Sequence, residues 1–134
     1  MNPAWSPDGR YVAFTGSQRD DPTDADVFVA NADGSGRRLV ADTGYDDLFP
    51  VWSPDGDRLA FASEVHQGDL DVFVVGLDGS GIRILTPDAE GYDEPLMWAP
   101  ERDILFLSDR ADIGGVFAYL MAPDGSDVRL FLRL

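Results

Sequence analysis

The sequence predicts an all-β chain: three four-stranded antiparallel sheets stacked face to face as β-propeller blades. Three observations predict it. The pentapeptide Trp-Ser-Pro-Asp-Gly stands at 5–9 and again at 52–56, and an altered copy, Trp-Ala-Pro-Glu-Arg, stands at 98–102. Behind each copy come an apolar segment, a second apolar segment, an Asp-Gly pair and a third apolar segment, in that order. No window carries helical periodicity of useful length. A four-stranded unit that recurs about every 40–50 residues is a propeller blade. An ordinary β-sandwich of about twelve strands would not require so regular a repeat.

The first strand of each unit is the segment around Trp5, Trp52 or Trp98. Ser-Pro-Asp-Gly follows, with Ser, Pro and Gly where a type I turn prefers them, and the Gly relieves a left-handed position. The second strand is YVAFT, RLAFA or ILFLS, and the third is DVFVAN, DVFVVG or FAYLM. Asp33-Gly34, Asp78-Gly79 and Asp124-Gly125 mark the next hairpin, since Asp-Gly supplies the positive φ that tight hairpins need. RRLV, IRIL or VRLF is the fourth strand. The blades are expected at about 1–42, 47–87 and 94–134. In the third copy, Arg102 replaces the turn Gly. A left-handed conformation there costs about 1 kcal/mol, so a distorted turn is expected.

The three Trp residues lie 47 and 46 residues apart. Between the second and third copies, a constant offset of 46 places Leu59 on Leu105, Phe61 on Leu107 and Phe73 on Tyr119 without a gap. Between the first and second, the offset falls from 47 at Phe14 and Phe61 to 45 at Phe28 and Phe73. The first copy therefore has two more residues in the loop between, as loops tolerate. The strands are apolar on both faces more often than alternating, as in VFVV and ILFL. A sheet with one face in water would alternate, so each sheet is expected to be covered on both faces.

The composition, 44% hydrophobic and 11% aromatic, is that of a globular chain rather than a disordered one. No run approaches the roughly 18–20 apolar residues of a membrane helix. No basic-then-apolar leader is visible, and the sequence opens almost inside a repeat, as an excised or truncated piece would. Cysteine is absent, which excludes disulfides and thiolate metal sites. The net charge is −15, and all ten basic residues are Arg. So acidic a surface repels phosphates, so neither nucleic acid nor an anionic membrane is an expected partner, whereas cations and basic protein surfaces are. Many of the Asp residues also read simply as turn formers. Adaptation to high salt is a further reading, and it predicts stability that rises with salt.

The ensemble PxWSPDGxxxAFxS, DVFVxxxDGSGxRxL and GYDD resembles the TolB-like propeller repeat, a relative of the WD-type blade, over essentially the whole chain. The resemblance implies a ring of six or seven blades, a periplasmic or extracellular location, and binding of a protein or peptide across the channel mouth. Three blades leave two open faces, each a sheet of Val, Phe and Leu of roughly several hundred Å², more than monomers usually expose. The chain begins at an inner strand and ends at an outer one, so each blade is complete. Two chains would close a six-bladed ring as a homodimer, and other closed homo-oligomers follow if the rotation differs.

The residues offer little catalytic chemistry. His66, in the loop SEVHQGD, is the single histidine and reads as a solvated side chain. Ser35 and Ser80 belong to Asp-Gly-Ser-Gly turns, and no Gly-x-Ser-x-Gly elbow occurs. A triad or a zinc site lacks parts, so the chain reads as non-catalytic. Abundant Asp leaves paired-carboxylate chemistry open. An oxygen-ligand cation site is the sharper expectation. Asp46 and Asp47, in Gly-Tyr-Asp-Asp, and Asp93 and Glu94, in Gly-Tyr-Asp-Glu, stand before the innermost strands. A ring would gather these carboxylates around its axis, where Ca²⁺ could bind and couple to assembly. The same residues also read as blade connectors, with Tyr packing and Asp capping a turn. A second acidic run, Asp20 to Asp26, lacks the Gly and terminal Glu of an EF-hand loop and reads as a solvated loop. An accessory propeller of a larger enzyme, such as a prolyl-oligopeptidase-like peptidase, is the alternative function.

Overall fold

The computed structural model describes residues 3–66, 68–87, 90–111 and 114–134. Met1 and Asn2, where the sequence opens inside the first repeat, and Gln67 of the His66 segment lie outside them. Twelve strands form three four-stranded antiparallel sheets. Blade 1 holds β1 (Ala4–Trp5), β2 (Tyr11–Gly16), β3 (Asp26–Asn31) and β4 (Arg38–Ala41), hydrogen-bonded in that order. Blade 2 holds β5 (Asp47–Trp52), β6 (Arg58–His66), β7 (Asp69–Gly76) and β8 (Arg83–Ile84). Blade 3 holds β9 (Asp93–Trp98), β10 (Ile104–Ser108), β11 (Phe117–Met121) and β12 (Arg129–Arg133). Each sheet runs in chain order from one edge to the other, as hairpin connections dictate. β5 packs beside β1 and β9, so the first strands gather along one edge of the stack.

Asp8 and Asp55 hold the Ser-Pro-Asp-Gly turns. Ser6 Oγ donates to Asp8 Oδ1 at 2.7 Å, and Ser53 Oγ donates to Asp55 Oδ1 at 2.7 Å. The same hydroxyls accept Tyr11 N–H and Arg58 N–H at 3.0 Å. Gly9 and Gly56 sit at φ 72° and 75°. In the third copy Ala99 has no hydroxyl, and Arg102 takes φ 80° in place of the Gly. The turn is shorter by one residue, because Ala99 N–H closes on Asp103 O where Ser6 closes on Tyr11 and Ser53 on Arg58.

That shortening overturns the gap-free offset of 46. Leu59 pairs with Val75 and Phe61 with Phe73, whereas Ile104 pairs with Met121 and Phe106 with Tyr119. Ile104 and Phe106, not Leu105 and Leu107, therefore occupy the places of Leu59 and Phe61. A one-residue slip reverses the faces of a strand, and burial agrees: Ile104 and Phe106 are buried, Leu105 and Leu107 half-buried. The aromatic pair is kept in every blade, with Phe14–Phe28, Phe61–Phe73 and Phe106–Tyr119 stacked at centroid distances of 5.8, 5.6 and 5.8 Å.

Two apolar clusters join the blades. Ala13, Val27, Val29 and Val40 of blade 1 meet Trp52, Leu59, Phe61 and Val75 of blade 2. Ala60, Val72, Val74 and Leu85 of blade 2 meet Trp98, Ile104, Phe106 and Met121 of blade 3. Each joint thus sets a face of small side chains against a face of large ones, and the two interdigitate. The outer hairpins approach as closely. A Cβ at Gly79 would lie 3.2 Å from Val40 O, and one at Gly125 would lie 2.6 Å from Leu85 O. The expectation of cover on both faces holds in the middle blade, where β7 is buried almost throughout, while β10 alternates.

Candidate functional site

Two features stand out: the open faces at the ends of the stack, and an acidic pocket between blades 1 and 2. The leading face of blade 1 carries Trp5, Val12, Phe14, Phe28 and Ala30, on the side opposite Ala13 and Val29. Trp5 is 60% exposed, whereas Trp52 is 7% exposed and donates its indole N–H to Ala4 O of blade 1 at 2.8 Å. Arg37 lies 3.9 Å from the Phe28 ring centroid, a cation–π contact that shields the aromatic pair. The trailing face of blade 3 carries Met97, Leu105, Leu107 and Leu120.

The two open faces depart from the internal pattern in opposite senses. On the leading face, Val12 stands where Leu59 and Ile104 stand, and Ala30 where Val75 and Met121 stand, so this face is smaller. On the trailing face, Leu105 replaces Ala60, Leu107 replaces Ala62, Leu120 replaces Val74 and Met97 replaces Val51, so this face is larger.

The four predicted cation ligands are engaged locally. Asp46 accepts Ala25 N–H at 2.8 Å. Asp47 accepts Thr43 N–H at 2.9 Å and Thr43 Oγ1–H at 2.7 Å. Burial raises the pKa of Asp47, and the hydroxyls of Ser63 and Thr43 oppose the rise. Asp93 pairs with Arg110 at 3.0 Å while its Oδ1 has no partner among the described residues, and burial raises its pKa against the pull of Ser108 and Arg110. Glu94 accepts the Tyr92 hydroxyl, and burial and this carboxylate push Tyr92 up to about 12. Among the described residues, one group of three carboxylates has oxygens within 4.8 Å of one another, and it consists of Asp24, Asp26 and Asp42.

Asp26 is both the last residue of the acidic run read as a solvated loop and the first of the expected strand DVFVAN. It begins β3 as that strand requires, is 0% exposed rather than solvated, and among the described residues neither carboxylate oxygen has a hydrogen-bond partner. Burial raises its pKa to about 6. The charges of Asp42, Asp24 and Asp47 add to that rise, and the Gln18 amide, which donates to Asp42 Oδ2 at 2.9 Å, opposes it. The repeat held a signal for this position. Asp71 is its counterpart in blade 2, also 0% exposed, but it accepts Thr86 Oγ1–H at 3.2 Å and lies 2.8 Å from His66 Nδ1. Ala41 stands in blade 1 where Thr86 stands in blade 2, so Asp26 lacks that donor. His66 in turn ends β6 on a buried carboxylate rather than standing free in a loop. Phe117 holds the third position and begins β11.

A family profile for the TolB beta propeller domain matches residues 1–131. The chain is 32% identical over 68 residues to the uncharacterized peptidase YuxL of Bacillus subtilis, a match over 51% of this chain and 10% of that one. It is 40% identical over 63 residues to dipeptidyl-peptidase 5 of Porphyromonas gingivalis, over 45% of this chain and 9% of that one. The solved structure of putative TolB from Agrobacterium tumefaciens superposes with a TM-score of 0.78 and 26% identity, over 97% of this chain and 49% of that one. The chain thus spans about a tenth of the two curated relatives and half of the solved one. With three four-stranded blades, their repeated turns and a match along almost its whole length, this chain belongs to the TolB β-propeller family.

Proposed function

We propose that the chain is a non-catalytic propeller segment whose two open blade faces close on each other in a second copy, giving a six-bladed binding ring. One observation carries this reading: the leading face lost side-chain volume at Val12 and Ala30, while the trailing face gained it at Met97, Leu105, Leu107 and Leu120. Opposite changes on two faces are what a joint between them requires, because interiors tolerate neither voids nor overlap. Gly34 supports it. Among the described residues no atom approaches within 4 Å of a Cβ built there, whereas the equivalent Gly79 and Gly125 each abut the preceding blade. A cation held by Asp46, Asp47, Asp93 and Glu94 would add to closure rather than replace the apolar contact. The ring's ligand is a protein or peptide at the channel mouth, and the periplasmic or extracellular location of the family goes with it.

Multi-angle light scattering tests the assembly. The expected result is twice the chain mass at micromolar concentration, falling to one chain mass for Leu107→Arg with its strand content intact. A monomeric wild type overturns the reading. The second reading, an accessory propeller within a longer peptidase, is favoured by the 40% identity to dipeptidyl-peptidase 5. In that case the open faces meet further blades of the same polypeptide. A longer reading frame that encodes them, together with a monomeric 134-residue chain, would establish it.

A further inference from the structure

We infer that Asp24, Asp26 and Asp42 form a binding site for one hard divalent cation of the Ca²⁺ class, set between blades 1 and 2. Carboxylate oxygens from all three lie within 4.8 Å of one another. Two oxygens on opposite sides of a shared Ca²⁺, each about 2.4 Å from it, would stand about 4.8 Å apart. Proximity alone would not suffice, since acidic loops are common on a chain with 25 acidic residues. The deciding observation is Asp26. It is fully buried, it contributes an oxygen to the cluster, and among the described residues neither of its oxygens has a hydrogen-bond partner, the nearby Gln18 amide being bonded to Asp42.

A buried carboxylate without donors is unfavourable by several kcal/mol unless a proton or a cation compensates it. Blade 2 resolves the same strand position with protein donors, because Thr86 and His66 reach Asp71. Blade 1 has Ala41 in place of Thr86, and brings Asp24 and Asp42 to the carboxylate instead of donors. Exchanging two donors for two further acceptors makes sense only if the compensating species is positive. Among the described residues, no Arg forms an ion pair with any of the three.

The surroundings suit a cation with an open coordination side. Asp21, Asp46 and Glu64 line the same shallow pocket with Asp24 and Asp42, and no basic side chain lines it among the described residues. Water can complete the six to eight oxygens that Ca²⁺ takes. The loop bearing Asp24 is tied to blade 2, because Ala25 N–H donates to Asp46 and Ala25 O accepts Asp47 N–H at 2.6 Å. An ion held by Asp24 and Asp26 from blade 1 and Asp42 from the connector would thus brace the joint between the two blades.

The test is calorimetric titration of the whole chain with CaCl₂ in metal-depleted buffer at about 0.15 M ionic strength, which screens diffuse attraction. Terbium luminescence provides the second readout, because Tyr45 lines the pocket and can sensitise a bound lanthanide. Saturable binding of one ion per chain is expected, displaceable from terbium by calcium. Asp24→Ser and Asp42→Ser replace side chains that are not fully buried, so the fold should survive both. Each should weaken binding about tenfold or more, as loss of one charged ligand does. Asp124→Ser, on the outer hairpin of blade 3, should leave binding unchanged. Absence of saturable heat, or wild-type affinity in both pocket variants, overturns the inference. In that outcome Asp26 is compensated by a proton. The stoichiometry is read per chain, so failure here is separable from failure of ring closure.

Discussion

Asp26→Asn in chelator-containing buffer gives the most direct test of the buried carboxylate. An ordinary aspartate has a pKa of 3.8, and burial raises that of Asp26 to about 6. The folded state therefore binds more protons than the unfolded state between these two values, and the contribution of Asp26 to stability falls as pH rises through that window. A shift of about two units corresponds to about 3 kcal/mol at full burial. Its neighbours Asp24 and Asp42 line a pocket open to solvent, which moderates the field at the carboxylate, so about 2 kcal/mol is the expected effect. The variant removes the charge and gives Asp24 and Asp42 an amide donor. It should be more stable than wild type by about 2 kcal/mol at pH 7 and nearly equal to it at pH 4. Urea denaturation of both proteins across pH 4–8 measures the difference, which cancels the titration of every other carboxylate. A difference that does not change with pH, or a variant less stable at pH 7, would refute the reasoning.

Four further outcomes follow from the packing and the charge of the chain. Arg102→Gly relieves a residue at φ 80° and should stabilise the chain by about 1 kcal/mol in chemical denaturation. Phe61→Ala empties the centre of the joint between blades 1 and 2, where Phe61 is fully buried, and should cost about 3–5 kcal/mol, leaving little cooperative transition. Trp52→Ala should destabilise by a similar amount, since its indole is buried and bonded to Ala4, whereas Trp5→Ala should barely alter the stability of one chain and should weaken assembly. Because each chain carries a net charge of −15, self-association should strengthen as salt is raised towards the screening regime; sedimentation velocity at two salt concentrations reads the sign.

The sequence by itself determined the fold. A turn such as Trp-Ser-Pro-Asp-Gly is a local object, specified by the φ of Gly9 and Gly56 and by hydroxyl and carboxylate bonds made within five residues. Its repetition, with apolar strands at regular spacing, is enough to define three blades. Pairing across the sheet was less legible. A one-residue deletion in the third turn and the later insertion that offsets it leave the Trp98 and Tyr119 spacings unchanged, so the slip of Ile104 and Phe106 is hidden from any constant offset. Only the ladder, in which each residue must face a partner, revealed it. The site was decided by tertiary structure to a still greater degree. Asp26 and Asp42 are brought together by the β3–β4 ladder of blade 1, in which Val27 faces Ala41, and Asp24 joins them from a loop that the Ala25–Asp46 bond holds against blade 2. Burial, which turns one Asp among many into an uncompensated charge, is a property of the packed joint and is written at no single position in the chain.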